Sequence, residues 1–260
     1  MLERRTITHP ALPEALDGLT VLHLSDFHVR RPVTRHRWWP ALERLLRDSP
    51  ADVIALTGDY PDKPGHEDHG LDLLRRMARV WRPRCGVLAI HGNHDTIEFR
   101  RRAAEAADIQ WIGGRIIDLP LGDRGTLRVG GLDWPEDVVA MMGSSGGRPP
   151  QLVLAHVPTA LVPLAGFNIP IVLAGHTHAG QIRVSPRFAP HTSSDTPSHL
   201  AGGLLRSGDT VMAVSRAIGD GVVEGLRINC PRQVCLFTLA RGPMPDGAWT
   251  GGRPRQVVAW

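Results

Sequence analysis

Leu19-Thr-Val-Leu-His-Leu-Ser-Asp-Phe-His28 is an apolar run that ends in a carboxylate and an imidazole one residue apart. Its first part, LTVLHL, is apolar almost throughout, the pattern of a strand covered on both faces. The construction recurs four times. DVIALT leads into Gly58-Asp59, CGVLAI into Gly92-Asn93-His94-Asp95, QLVLA into His156, and IPIVLA into Gly175-His176-Thr177-His178. Helical spacings lie between the first runs. Trp38, Leu42, Leu45 and Leu46 form one set, Leu71, Leu74, Met77, Ala78 and Trp81 another. Thr96 caps a third, alanine-rich segment that runs to Ala107. Strand alternating with helix predicts a layered α/β domain.

Beyond Ile109 the pattern shortens to the β-like segments IQWIG, RIIDLP and TLRVGGL. Gly143 to Pro150 reads as a surface loop inside one domain, because strand pattern resumes directly after it. Arg187 to Gly208, rich in Pro, Ser, Thr and His, reads as irregular. VMAVSRAIG and VCLFTLA return to strand. Residues 1–240 are expected to form a single domain, and 241–260, rich in Gly, Pro and Arg, a loose tail.

The chain has 260 residues and is 42% apolar, enough for a well-buried core. No apolar run reaches the roughly 18 residues that span a membrane. MLERRTITHP is followed by no apolar segment of the secretory kind, so a cytoplasmic location is expected. Three cysteines, Cys85, Cys230 and Cys235, match no zinc or redox spacing, and Cys85 reads as a small buried hydrophobe. The formal charge is +4, carried almost wholly by arginine, since Lys63 is the only lysine. Arginine suits bidentate contact with phosphate, but a charge of this size does not by itself point to nucleic acid.

The ends of the runs supply donors. Asp26 and His28 alternate and are expected to share one strand face. Asp59, after a glycine turn, can offer two oxygens and bridge two cations. Asn93 adds an amide oxygen; His156, His176 and His178 add imidazoles. Two Asp, one Asn and four His exceed the needs of one tetrahedral zinc and fit two ions about 3.5–4 Å apart. The mixed nitrogen and oxygen set suits divalent or mixed-valence transition metals, Mn, Fe, Zn or Co, better than Mg or Ca, without choosing among them; Mn is the expected ion. His23 and His91 lie in similar runs and are assigned to packing.

The order Asp-x-His, Gly-Asp, Gly-Asn-His-Asp, His, Gly-His-x-His resembles the calcineurin-like metallophosphoesterase superfamily over roughly Leu19 to Gln181. Within it the chain is most similar to bacterial membrane-associated phosphoesterases of the YkuE/YaeI type. Ser-Asp-Phe-His, His156-Val157-Pro158 and Gly175-His176-Thr177-His178-Ala179-Gly180-Gln181 carry that similarity, with Phe27 in place of Leu and Ala179 in place of Gly. The N-terminal membrane or export segment of that group is not expected here, because MLERRTITHP leads into no apolar run. The resemblance implies a four-layer αββα sandwich with two mixed sheets flanked by helices. It also implies that one ion takes Asp26, His28, Asp59 and His178, and the other Asp59, Asn93, His156 and His176.

The expected chemistry is phosphodiester hydrolysis of a small or lipid-linked substrate by a metal-bridging hydroxide. His94, beside a ligand but not needed as one, is the expected leaving-group acid, with Asp95 orienting its ring and raising its pKa. A phosphomonoesterase and a nuclease are the alternatives. The scattered arginines form no continuous basic groove, which weighs against nucleic acid. A non-catalytic scaffold would have lost donors, and every one is present. The loop Arg30, Arg31, Arg35, Arg37, Trp38, Trp39 belongs near the site mouth. It can grip phosphate or rest peripherally on the inner face of the membrane; a solvated loop entering a helix is the plainer reading. Asp62, Lys63 and His66 are weaker candidates for the pocket rim. The oligomeric state is open.

Overall fold

The computed structural model describes residues 1–185, 188–192, 196–221, 223–245 and 254–258. In chain order the first strands are β1 (Leu2–Thr8), β2 (Leu19–Leu24), β3 (Val53–Thr57), β4 (Gly86–Ile90), β5 (Gln110–Trp111), β6 (Ile116–Pro120) and β7 (Thr126–Leu132). They are followed by β8 (Leu152–Ala155), β9 (Ile171–Ala174), β10 (Gly203–Ser207), β11 (Thr210–Val214), β12 (Val234–Ala240) and β13 (Arg255–Val258). The helices are α1 (Trp39–Asp48), α2 (Glu67–Val80), α3 (Ile97–Ala103), α4 (Val138–Gly143) and α5 (Leu161–Ala165).

The strands form two mixed sheets, ordered β1-β12-β2-β3-β4-β5 and β13-β10-β11-β9-β8-β7-β6. β2 to β5 run parallel, as do β7, β8, β9 and β11. Antiparallel strands occupy the flanks: β12 against β2, β6 against β7, β10 against β11. The period-two alternation decides the layers. Val21, Val53, Ala55, Leu88 and Phe237 face Val129, Leu154, Leu173 and Val211 across the space between the sheets. Leu22, Leu24, Ile54 and Leu56 turn the other way, onto Leu42 and Leu46 of α1, Leu71 and Leu74 of α2 and Phe99 of α3. On the far side Val153, Val172 and Met212 pack against Met141 of α4 and Leu164 of α5. The result is the expected αββα sandwich. Each central strand is buried on both faces, which is why it reads as a continuous apolar run.

Several local expectations change. Arg187 to Gly208 is not wholly irregular: it contains β10, joined to β11 by the two-residue turn Gly208-Asp209, with Ser207 opposite Thr210. Residues 187 and 193–195 of that stretch lie outside the described residues. Arg206 hid the strand, because its side chain is almost fully buried and its Nε bonds to the Gly208 carbonyl at 2.9 Å. The expected loose tail contains β13, antiparallel to β10; 246–253 and 259–260 lie outside the described residues. The third helix stops at Ala103 and not Ala107; its cap is as predicted, with Thr96 Oγ1 accepting the Phe99 N–H at 3.1 Å. Cys85 is only half-buried. Among the described residues no helix is long and apolar enough to cross a membrane.

Candidate metal centre

β2, β3 and β4 of one sheet and β8 and β9 of the other end at the same rim, and the predicted donors follow those ends directly. This is the edge at which parallel strands leave a crevice. Three overlapping groups of donor atoms result, each within 4.8 Å: Asp26, His28 and His178; His28, Asp59 and His94; Asp59, His156 and His176. Asn93 joins through its Oδ1, 2.9 Å from His156 Nε2. The structure therefore brings together all seven predicted ligands and His94.

Asp26 and His28 do not share a face by strand alternation. β2 ends at Leu24, and both residues have left-handed backbone, with φ of 54° and 43°. Phe27 between them points into the core and stacks on Tyr60 at 5.7 Å. Asp59, His176 and His178 also have positive φ, at 60°, 70° and 51°. Such backbone costs about 1–3 kcal/mol per residue, and it concentrates here on the donors. Two glycines allow the close approach. A Cβ on Gly92 would lie 2.2 Å from Asp59 Oδ1, and one on Gly175 2.4 Å from Asp26 Oδ2.

The donor set fits a cation. His156 Nδ1 lies 2.7 Å from the Thr57 carbonyl, so Nδ1 carries a proton and Nε2 is the nitrogen turned to the site, able to bind a cation once it sheds its own proton. That Nε2 faces Asn93 Oδ1 at 2.9 Å, Asp59 Oδ2 at 3.3 Å and His176 Nδ1 at 3.2 Å. His28 Nε2 likewise faces His178 Nε2 at 3.0 Å and Asp59 Oδ2 at 3.4 Å. Acceptors facing acceptors in a buried pocket need a proton or a metal between them. Charge follows suit. Burial alone would raise the Asp59 carboxyl, but the His156 and His28 charges outweigh it and hold it well below the usual range. Burial opposes a charge on His156 too, yet Asp59 and Asp26 push it up to about 10. His176 is lowered to about 4 by burial and by His156.

Asp95 does something other than orient His94. Its carboxylate accepts the backbone N–H of Asp59 at 2.9 Å, of Tyr60 at 2.9 Å and of Gly92 at 2.7 Å. Burial, then repulsion by Asp59, raises it to about 7 against those three bonds. The His94 ring is held instead by the backbone carbonyl of Asp62, which accepts from Nδ1, and its backbone N–H donates to Asp59 Oδ1 at 2.8 Å. The Asp62 carboxylate lies 3.3 Å from His28 Nδ1 and 2.8 Å from Arg30, behind the donors and not on a rim.

Sequence reasoning missed two residues. Glu136 Oε1 accepts the N–H groups of His156 and Val157, both at 2.8 Å, and burial pushes its carboxyl up to about 7. Arg100 bonds to the carbonyls of Asp95, Gly92 and Trp134 at 2.8, 3.0 and 2.9 Å, fixing the Gly92–Asp95 loop. The helical phase of α3 hinted at Arg100; no local signal marked Glu136. His23 and His91 serve packing. His23 bonds Thr57 Oγ1 at 2.8 Å, and His91 stacks on Trp111 at 4.1 Å.

Two cavities open on the cluster. One of about 640 Å³ reaches His28 and is lined by Arg30, Arg31, Arg35, Arg37 and Arg232. The other, of about 490 Å³, reaches Asn93 and His176 and is lined by Trp134, Glu136, Val157 and Pro163. Lys63 and His66 line neither. Trp38 and Trp39 are 5% and 4% exposed, packed in the helix-side core, so they present no aromatic surface to a membrane.

Residues 19–180 match the calcineurin-like phosphoesterase family. The chain is 25% identical over 244 residues to the uncharacterized metallophosphoesterase YkuE of Bacillus subtilis (strain 168), covering 90% of this chain and 83% of that one. It is 26% identical over 221 residues to the uncharacterized metallophosphoesterase YkoQ of the same organism, covering 76% and 80%. Against phosphodiesterase YaeI of Escherichia coli (strain K12) it is 26% identical over 227 residues, covering 84% and 81%. The chain belongs to the calcineurin-like phosphoesterase family, has a divalent-metal site in the histidine and aspartate clusters, and is a metal-dependent phosphoric ester hydrolase.

Proposed function

We propose that this member of the calcineurin-like phosphoesterase family cleaves phosphodiesters, using two divalent ions that share Asp59. The supporting observation is the position of Asp59 Oδ2, 3.4 Å from His28 Nε2 and 3.3 Å from His156 Nε2. One carboxylate thus reaches both halves of the donor set. Asp26, His28, Asp59 and His178 would hold one ion, and Asp59, Asn93, His156 and His176 the other. Bound there, the ions would polarise the phosphoryl oxygens, offset the charge that develops on them and activate water. The mixed nitrogen and oxygen donors suit Mn, Fe or Zn, and Mn is the ion we take first.

The chain's own residues supply the rest. The Asp62 carbonyl accepts from His94 Nδ1, so Nε2 is the ring nitrogen that would pass a proton to the leaving oxygen. Asp95 and Arg100 hold the loop that carries His94 and Asn93. Asp62 and the Thr57 carbonyl fix the rings of His28 and His156 so that each turns Nε2 inward.

A diester is favoured over a monoester by the two cavities, one reaching His28 and the other Asn93 and His176. A phosphorus between them has room for a substituent on each side. The name of the relative YaeI, a phosphodiesterase, agrees. The substrate is read as a small phosphoester, free or lipid-linked. The test is hydrolysis of bis(4-nitrophenyl) phosphate and 4-nitrophenyl phosphate by protein loaded with Mn, Fe or Zn. Faster turnover of the diester is expected. A faster monoester would make this a phosphomonoesterase, and no hydrolysis of either would sink the reading.

A further inference from the structure

The cavity at His28 carries more positive charge than the fold uses. Its acids are spoken for. Asp220 pairs with Arg227 at 3.0 Å and Arg232 at 2.7 Å. Glu224 pairs with Arg31 and lies 3.8 Å from Arg30. Arg30 is also bound by Asp62 at 2.8 Å and by the Asp220 carbonyl at 2.7 Å. Arg35 and Arg37 line the same cavity, and their guanidinium groups have neither an ion pair nor a hydrogen bond among the described residues. His36 between them is 7% exposed, stacks on Trp38 at 5.0 Å, and leaves Nε2 without a partner. A buried polar atom left unpaired is uncommon unless something outside the chain satisfies it.

Neither arginine is placed for folding. Val33 and Trp38 bury their side chains, and the short turn Val33–Arg35 projects the polar residues toward the cavity. A concave wall with surplus arginine concentrates anions, and the planar guanidinium matches phosphate with two parallel bonds. The cavity is continuous with the proposed site at His28. A group held there therefore belongs to a molecule whose scissile phosphorus sits at the donor cluster.

We propose that this cavity is a subsite for a second phosphate of the substrate, gripped by Arg35 and Arg37. The substrate class is then a phosphodiester that bears a further phosphate or diphosphate group on one of its halves. This rests on the phosphodiesterase reading of the metal centre, and narrows it. Bis(4-nitrophenyl) phosphate, with no second phosphate, would still be hydrolysed at the metal centre but would bind more weakly than the natural substrate.

Two measurements test it. In the first, inorganic pyrophosphate is titrated by calorimetry into the full chain after chelator treatment, so that no metal contributes. One-to-one binding is expected, weakened about tenfold or more in Arg35→Ala/Arg37→Ala. Both side chains are exposed, so the substitution spares the core. Absent binding, or equal binding by both proteins, overturns the subsite. In the second, metal-loaded protein is compared on thymidine 5′-(4-nitrophenyl phosphate) with and without a 3′-phosphate. The added phosphate should lower KM about tenfold, and the double variant should lose most of that advantage. An equal KM for the two esters in the unaltered protein overturns the substrate class. Hydrolysis of bis(4-nitrophenyl) phosphate reports separately on the phosphodiesterase reading: if it fails while pyrophosphate still binds, the metal-centre reading falls and the anion cavity stands.

Discussion

The carboxylate of Asp95 accepts the backbone N–H of Asp59 at 2.9 Å, so the residue after His94 holds the turn that carries the shared donor. The same carboxylate takes the N–H of Tyr60 and of Gly92. Two strand-end loops, one from β3 and one from β4, are locked through a single buried side chain. Asp95→Ala orphans three donors, each worth about 1–3 kcal/mol. It is expected to lower the melting temperature by several degrees, at about 2–4 °C per kcal/mol for a chain of this size, and to lower bound metal as well. Thermal melts and metal analysis of the variant check this. Normal metal content with lost turnover would return Asp95 to the role of orienting His94.

His94 makes its side-chain bond to the Asp62 carbonyl, yet it also stands within reach of His28 and Asp59. As the leaving-group acid it should be dispensable for the ions. His94→Ala is expected to keep its metal and lose about 10²–10⁴-fold in turnover of an activated diester. Metal per chain and kcat are the two readouts. Loss of metal would make His94 a ligand, and unchanged turnover would remove it from the reaction.

Metal affinity should rise with pH. Burial disfavours charge on His156, but the Asp59 carboxylate 3.3 Å away outweighs it and raises the ring to about 10. At neutral pH the ion-free chain therefore keeps a proton that Nε2 must shed to bind a cation. With one proton released, affinity climbs about tenfold per pH unit and levels off as pH approaches the raised value. Calorimetry in two buffers of different ionisation enthalpy measures the proton directly. Affinity that is flat between pH 6 and 9 would contradict it.

Gly92 is required by space. A Cβ there would lie 2.2 Å from Asp59 Oδ1 and 2.6 Å from His156 Cε1. Both are held on their other sides, Asp59 by the His94 N–H and His156 by the Thr57 carbonyl. Gly92→Ala is expected to cut metal affinity by an order of magnitude or more while leaving the rest of the fold intact. Metal titration with circular dichroism separates this from unfolding, and wild-type affinity would show that the loop yields.

Much of this was legible in the chain. The apolar runs from Leu19 to Leu24 and Val53 to Thr57 announced strands covered on both faces, because the second sheet and the helices together bury all of their residues except Thr20, which is partly buried. The donors were legible because each run stops at, or within two or three residues of, a polar side chain able to bind a cation. β10 was harder to see. Its buried Arg206 broke the apolar pattern, although Gly208-Asp209 offered a hairpin signal. β1 was missed because Glu3, Arg4 and Arg5 stand in a row inside it and break any apolar pattern; Glu3 pairs with Arg216, which lies far away in sequence.

The sequence by itself determined the candidate donor types, their order and the α/β layering, since these follow from local composition and from periods of 2 and 3.6 residues. Only the tertiary structure decided how the donors meet. Asp26 and His28 converge through left-handed backbone on either side of Phe27, and strand alternation plays no part. Only the folded chain could show Glu136 behind His156, Asp95 bound to the Asp59 turn, Trp38 and Trp39 buried, and Arg35 and Arg37 left over beside His28. The physical reason is the same in each case. These roles depend on which backbone groups and charges lie across a loop or between sheets, and a pattern along the chain carries no information about distances through space.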